Sequence, residues 1–427
     1  MGIKSILYVI GTYTFIAFTG VNYVHAADYQ IIDLGTLGGT SSRGESINNS
    51  GHVTGTSRIS GDSETHAFLY DGNSMLDLGL LEPTDDNSYG YGINDNGQIV
   101  GYSAVLEIGN LNKDHQAFIY DSGSLQNLNA LLPSTCNLRS IAYDINDSGQ
   151  VTGYCAYYVD DIWNTSEGYP YYYDGSIMHV LSILGRFSDA DAINNNGHIT
   201  GYHAFDYPDR HAYIYNGTSI RDLGTLGGQH SSGADINDSG QVAGSSWITG
   251  DEDSHAFFYD GNKMHDLGTL GGENSEGVGI NSSGHVVGRS QLASGEYVAF
   301  LYANNQMLNL CALTDCIAKG WTSLSIASSI NDRGDITGYG TINGETHAFV
   351  VLAGDLPPPP PSAAPVAVND TVNVEVDTAK DIDVINNDTD AEDGSPPAAP
   401  PAFVTPTTAT STKGFALTEN ANGSITY

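Results

Sequence analysis

The chain has 427 residues, with 50 acidic against 14 basic side chains and a formal charge of -36. That length exceeds one simple core and suits a large repeat domain with a smaller companion. The charge excludes a nucleic-acid partner, which needs clustered Lys and Arg against phosphate. It favours a solvated, self-repelling and monomeric surface suited to an extracellular medium, with divalent cations as natural counter-ions.

The first 26 residues read as an export signal. Lys4 supplies the positive start, Ile6 to Val21 is mostly apolar, and Val24-His25-Ala26 places small residues at the -3 and -1 positions of a cleavage before Ala27. No Cys follows that point, and no later segment is apolar enough to span a bilayer. The expected location is therefore secreted or cell-surface.

From residue 28 to 354 one phrase recurs. Its landmark is Ile-Asn-x-x-Gly followed by three residues and Gly, beginning at Ile47, Ile93, Ile145, Ile193, Ile236, Ile280 and Ile330. A period of about 43–52 residues with short strands between turns marks a radial or solenoid array. Residues 88–129 show the unit. Strand a is Tyr91-Gly92-Ile93, and Asn94 to Gly97 is a turn. Strand b is Gln98 to Ser103, c is Gln116 to Tyr120, and d is Leu125 to Leu128. Strand c is apolar on both faces, so it needs a neighbour on each side.

Strands a, b and c occur seven times, but d occurs only six times between repeats. A seventh d stands at the start, as Ile31 to Gly35. A displaced strand that completes the last unit predicts an all-β fold, a seven-bladed β-propeller closed by an N-terminal strand. A β-solenoid is the alternative, and it would not need the displaced strand.

The repeats resemble the bacterial extracellular HAF family, through His66-Ala67-Phe68, His255-Ala256-Phe257 and His347-Ala348-Phe349, the Ile-Asn-Asp-x-Gly turns, and Asp-Leu-Gly-Thr-Leu-Gly-Gly at Asp33, Asp222 and Asp266. The resemblance implies export and repetition, with no established activity. His is missing from the copies at Tyr169 and Val298. A structural hydrogen bond is therefore the expected role of this His, rather than metal ligation.

Four Cys in an exported chain suggest disulfides: Cys311 and Cys316 pin one loop, and Cys136 and Cys155 flank one a–b hairpin. A proline linker spans residues 355–365. Residues 366–427 read as the start of an immunoglobulin-like or cadherin-like β-sandwich, in which Asp370, Asp388 and Asp390 would ligate calcium.

No His-Glu-x-x-His, Gly-x-Ser-x-Gly or phosphate loop is present. The expected binding surface is the b–c loop face. It carries Asp62, Glu64, Asp160, Asp161, Asp206, Asp209, Asp251 and Asp253, beside the aromatics Tyr157, Tyr158, Trp163 and Trp247. Rings stack on sugar faces and carboxylates bind hard cations, so the expectation is a non-enzymatic binding or adhesion protein for an extracellular glycan or surface protein. The rival expectation is a secreted carbohydrate hydrolase or lyase with carboxylates from separate repeats.

Overall fold

The computed structural model describes residues 29–104, 115–132, 136, 139–160, 165–184, 188–206, 209–250 and 253–354, and three short strands farther on, Asp381–Asp383, Thr418–Glu419 and Ser424–Thr426. Contacts divide the chain into two units, Met1–Pro357 and Pro358–Tyr427. In the second unit the three short strands pair antiparallel, with Ser424–Thr426 in the middle. The expected export signal, proline linker and calcium ligands lie outside the described residues, as does most of the expected sandwich.

The first unit is all-β. Among its described residues, seven sets of antiparallel strands follow the a–b–c–d order. In the first repeat these are Gly38–Ile47, Val53–Ile59, Thr65–Tyr70 and Met75–Asp77. The seventh supplies Trp321–Ile330, Ile336–Ile342 and Glu345–Leu352. Beside its last strand runs the N-terminal strand Gln30–Gly35, antiparallel, from Gln30 opposite Leu352 to Gly35 opposite Ala348. Asp33 faces Phe349 just as Asp77 faces Phe68 and Asp266 faces Phe257. The displaced strand therefore takes the register of an in-sequence d strand.

Each a–b hairpin is closed by the repeated Asn. In the first repeat the Asn48 amide donates to the His52 carbonyl at 3.0 Å, and the Gly51 amide donates to the Asn48 carbonyl at 2.9 Å. Gly51 has φ +83°, a conformation that glycine adopts without steric cost. The last Gly of the phrase serves packing instead. A Cβ at Gly101 would lie 1.8 Å from the Tyr89 carbonyl oxygen, so strands a and b cannot close on a larger residue.

Strand c carries the core. Phe68, Phe118, Tyr171, Tyr213, Phe257, Phe300 and Phe349 occupy one equivalent position, and all are fully buried. Phe68, Tyr171, Phe257 and Phe300 pack with an Ile and a Val of their own repeat, and Phe118, Tyr213 and Phe349 with two Ile. Phe257 sits with Ile236 and Val242 against Ala192 and Ala212. Phe68 packs with Ile47 and Val53 against Ala348 and Val350 of the seventh repeat. The Phe68 cluster thus joins side chains of the first and seventh repeats. Truncating one such ring to Ala costs about 3–5 kcal/mol.

The Asp-Leu-Gly-Thr-Leu-Gly-Gly stretches form the d–a connections. Thr36 Oγ1 donates to the Gly39 carbonyl, and the Leu37 amide donates to Ser57 Oγ at 2.8 Å. The same bonds recur at Thr225 with Leu226 and at Thr269 with Leu270. Cys136 is bonded to Cys155 and Cys311 to Cys316, with Cα atoms 5.3 and 4.9 Å apart. Among the described residues, no helix is long and apolar enough to cross a membrane.

Candidate functional site

The axis is organised by the repeated Asn. Each side chain closes its own turn: Asn94 Oδ1 accepts the amides of Asn96 and Gln98. Each Nδ2 then donates to the backbone carbonyl of the next repeat's Asn. The chain of bonds runs Asn48 to Asn94, Asn146, Asn194, Asn237, Asn281 and Asn331, and Asn331 donates back to Asn48 at 2.9 Å. A second tier lies one residue on, where the Asn49 amide donates to Asp95 Oδ1, Asp95 to Asp147, Asp147 to Asn195, and Asn195 to Asp238. These turns enclose a small polar cavity of about 180 Å³. The Asn and Asp oxygens there are engaged in the turns, which is structural work. Among the described residues no group of three or more metal-ligating side chains occurs.

Deeper acids show confinement. Burial raises Glu45 to about 7, with Arg43 pulling the other way. Asp144 rises to about 7 by burial and by the charge of Asp235, and Asp189 to about 6 by burial. Asp191 is raised well above the carboxylate range by burial and then by Asp189. Sequence reading missed these groups because a carboxylate beside a turn looks like a surface residue until the turns converge on one axis.

The expected b–c face divides. The Asp62 carboxylate ties its turn to strand Gly38–Ile47, where Oδ1 accepts the Thr40 amide at 2.8 Å and Oδ2 accepts Thr40 Oγ1 at 3.0 Å. The first of these bonds holds its carboxyl below the usual range. Glu64 lies 3.3 Å from His66 Nε2. Tyr157, Tyr158 and Asp160 belong to strand Val151–Asp160 rather than to a loop, paired with Glu167, Ser166 and Thr165. Their aromatic, extended sequence continues the ladder. Asp206 ends strand Ile199–Asp206 and pairs with Asp209 at the start of the next. The side chains of Tyr157, Tyr158, Asp160 and Asp206 lie outside the described residues, as do Asp161, Trp163 and Asp251 altogether. Asp253 is half-buried, and its carbonyl accepts the Ile248 amide.

Trp247 is different: it is 37% exposed and lines a groove between the fourth and fifth repeats. The groove has a volume of about 530 Å³ and is lined by Tyr202, Arg210, His230, Ser231, Ser232, Ser245 and Trp247. The His230 ring meets Trp247 edge-on at 4.4 Å. The Arg210 amide donates to His230 Nδ1 at 3.2 Å, which leaves Nε2 as the neutral ring's donor. The Arg210 guanidinium lies over the Tyr202 ring at 5.0 Å. Ser231 holds the sheets together, donating to the Gly224 carbonyl and accepting the Ala212 amide. Strand alternation places the other groups on this wall, so their spacing along the sequence gave no warning of the cluster.

The strand-c His is structural where it occurs. His66, His211 and His255 meet Asp77, Asp222 and Asp266 through Nδ1 at 2.8–3.0 Å. Each Asp also caps the amide two residues on, at Gly79, Gly224 and Gly268.

A family profile described as "Protein of unknown function (DUF3466)" matches residues 22–140. No curated protein matches the chain. Among solved structures, the β-propeller domain of the Trilobed protease from Pyrococcus furiosus is similar at 12% identity, with 62% of this chain and 80% of that chain covered and a TM-score of 0.44. A puromycin-hydrolyzing peptidase of Mycobacterium tuberculosis is similar at 14% identity, with 79% and 58% covered and a TM-score of 0.46. The present chain thus spans less than two thirds of that peptidase. A lectin of Aleuria aurantia, in complex with Fucalpha1-6GlcNAc, is similar at 12% identity, with 63% and 94% covered and a TM-score of 0.35. At these identities the likeness is one of fold.

Proposed function

We propose that this chain is an exported, non-enzymatic binding protein for an extracellular glycan, and that its first unit is a seven-bladed β-propeller closed by Gln30–Gly35. Support for the architecture comes from the seven-member Asn cycle, from the register of the N-terminal strand, and from the packing of Phe68 on Ala348 and Val350. Support for export comes from the leader-like first 26 residues, the acidic surface and two disulfides, which persist in oxidising compartments. The resemblance to an extracellular repeat family points the same way.

The observation that carries the binding reading is the Trp247 groove. It offers two aromatic faces beside three kinds of polar donor, the combination that holds a sugar ring by stacking and by its hydroxyls. A volume of about 530 Å³ falls within the ordinary range for small-ligand sites, roughly 300–1,000 Å³. The test is a glycan array probed with the full chain, with calcium and again with EDTA, beside Trp247→Ala. Binding that Trp247→Ala removes supports the reading. A blank array, or binding indifferent to that change, contradicts it. Loss of binding in EDTA would add calcium as a cofactor.

The neighbouring half-buried acids Asp189 and Asp191 favour one rival, a carbohydrate-active enzyme, although both belong to one repeat. Release of shortened saccharide by the wild type, abolished in Asp189→Asn, would move the assignment there.

A further inference from the structure

The groove at Trp247 is also a charge anomaly. The whole chain carries 50 acids and 14 bases, yet among the described residues that line this groove none is Asp or Glu and one is Arg. Among the described residues the Arg210 guanidinium has no ion-pair partner and donates no hydrogen bond to protein; its one neighbour of note is the Tyr202 ring beneath it. Arg289 shows what an occupied guanidinium looks like here, with Nη2 at 2.7 Å from Glu276 Oε2. Arg210 thus stands over the Tyr202 ring, exposed, with no protein hydrogen bond to its guanidinium among the described residues. Around it, Ser232 and Ser245 make no side-chain hydrogen bond to protein among the described residues, and His230 keeps Nε2 as a donor.

Resting on the glycan reading above, we propose that the ligand of this groove is an acidic saccharide whose ring carboxylate is bound by Arg210 while its apolar face stacks on Trp247. The chemistry follows from three facts. A planar guanidinium presents parallel N–H donors that match the two oxygens of a carboxylate. A wall whose described residues include an Arg, a His and no carboxylate prefers acceptors over donors. A negatively charged protein repels anions at long range, so an anion is retained only where a local cation outweighs the mean field.

The test compares three oligosaccharides of equal length by titration calorimetry with the full chain: a hexuronate oligomer, its carboxyl-reduced neutral counterpart, and a sulfated neutral oligomer. A charge-assisted pair is worth about 1.5–3 kcal/mol, so the hexuronate should bind roughly tenfold to a hundredfold tighter than the reduced form. Arg210→Gln should erase that ratio while leaving the melting temperature in place, and added salt should shrink it. Equal affinity for charged and reduced forms, both weakened by Trp247→Ala, would overturn the carboxylate assignment and leave the glycan reading standing. Tighter binding of the sulfated oligomer would likewise overturn the carboxylate assignment. Absence of binding by all three would remove both.

Discussion

His347 Nδ1 lies 2.9 Å from Asp33 Oδ1, joining residues 314 positions apart in the pairing that other repeats make across 11. Asp33 also caps the Gly35 amide at 2.8 Å, as its counterparts cap theirs. The end of the array is thus tied to its beginning by the same lock used within each repeat. Removing residues 29–35 should expose the edge of Glu345–Leu352 and lower the melting temperature sharply, with broadening of the transition. A synthetic peptide of residues 28–38 added in trans should restore part of the loss. The milder Asp33→Ala should cost about 1 kcal/mol, because the pair is only half-buried.

The Asn cycle makes a second prediction. Asn237→Ala would leave the Asn281 carbonyl and the amides of Ser239 and Gln241 without their side-chain partner. The loss should be about 2–3 kcal/mol in denaturant unfolding, since buried groups left unpaired cost more than an average hydrogen bond. The second tier has a gap where the Ser282 side chain is too short to take the Asp238 amide, although the Ser282 amide still donates to Asp332 at 2.9 Å. Ser282→Asn should fill that gap and stabilise by about 0.5–1.5 kcal/mol.

Glu45 gives a pH dependence of defined sign. Burial raises its pKa from 4.5 to about 7, so the folded chain holds a proton there that the unfolded chain releases earlier. The associated stability is complete below the unfolded value and is lost as pH rises through the folded one. Glu45→Gln, which stays neutral, should therefore match the wild type near pH 4 and melt higher at pH 8. Equal melting temperatures at pH 8 would contradict the buried placement.

Tyr171 stands where five other repeats have Phe, and among the described residues its buried hydroxyl has no hydrogen-bond partner. Tyr213, at the same position, donates to the Asp189 carbonyl at 2.8 Å. Tyr171→Phe should accordingly be neutral or stabilising by up to about 1 kcal/mol, whereas Tyr213→Phe should destabilise. Differential scanning calorimetry on the two variants distinguishes them.

Much of the fold was legible because repetition speaks for itself: the Ile-Asn-x-x-Gly phrase gave the hairpins, and the early Ile31 to Gly35 run gave the strand beside Glu345–Leu352. The site was less legible. Asn48 and its counterparts looked like turn residues, and each is one, but only the third dimension turns seven amides into a cycle. Trp247 was visible as an odd aromatic. Arg210, His230, Ser232 and Ser245 come from three strands of two repeats, and strand spacing alone cannot announce that they share a wall. Asp62 misled for the opposite reason, since its carboxylate is taken up by Thr40 of the neighbouring strand. Tyr157 and Tyr158 extend a ladder that the sequence had assigned to a loop.

The most direct test of the binding account is hydroxyl-radical footprinting of the full chain with and without a saturating hexuronate oligosaccharide. Protection confined to Trp247, His230 and Tyr202 is the predicted result. Protection at the axial turns around Asn49 and Asp95, or an unchanged Trp247 under saturation, would contradict it.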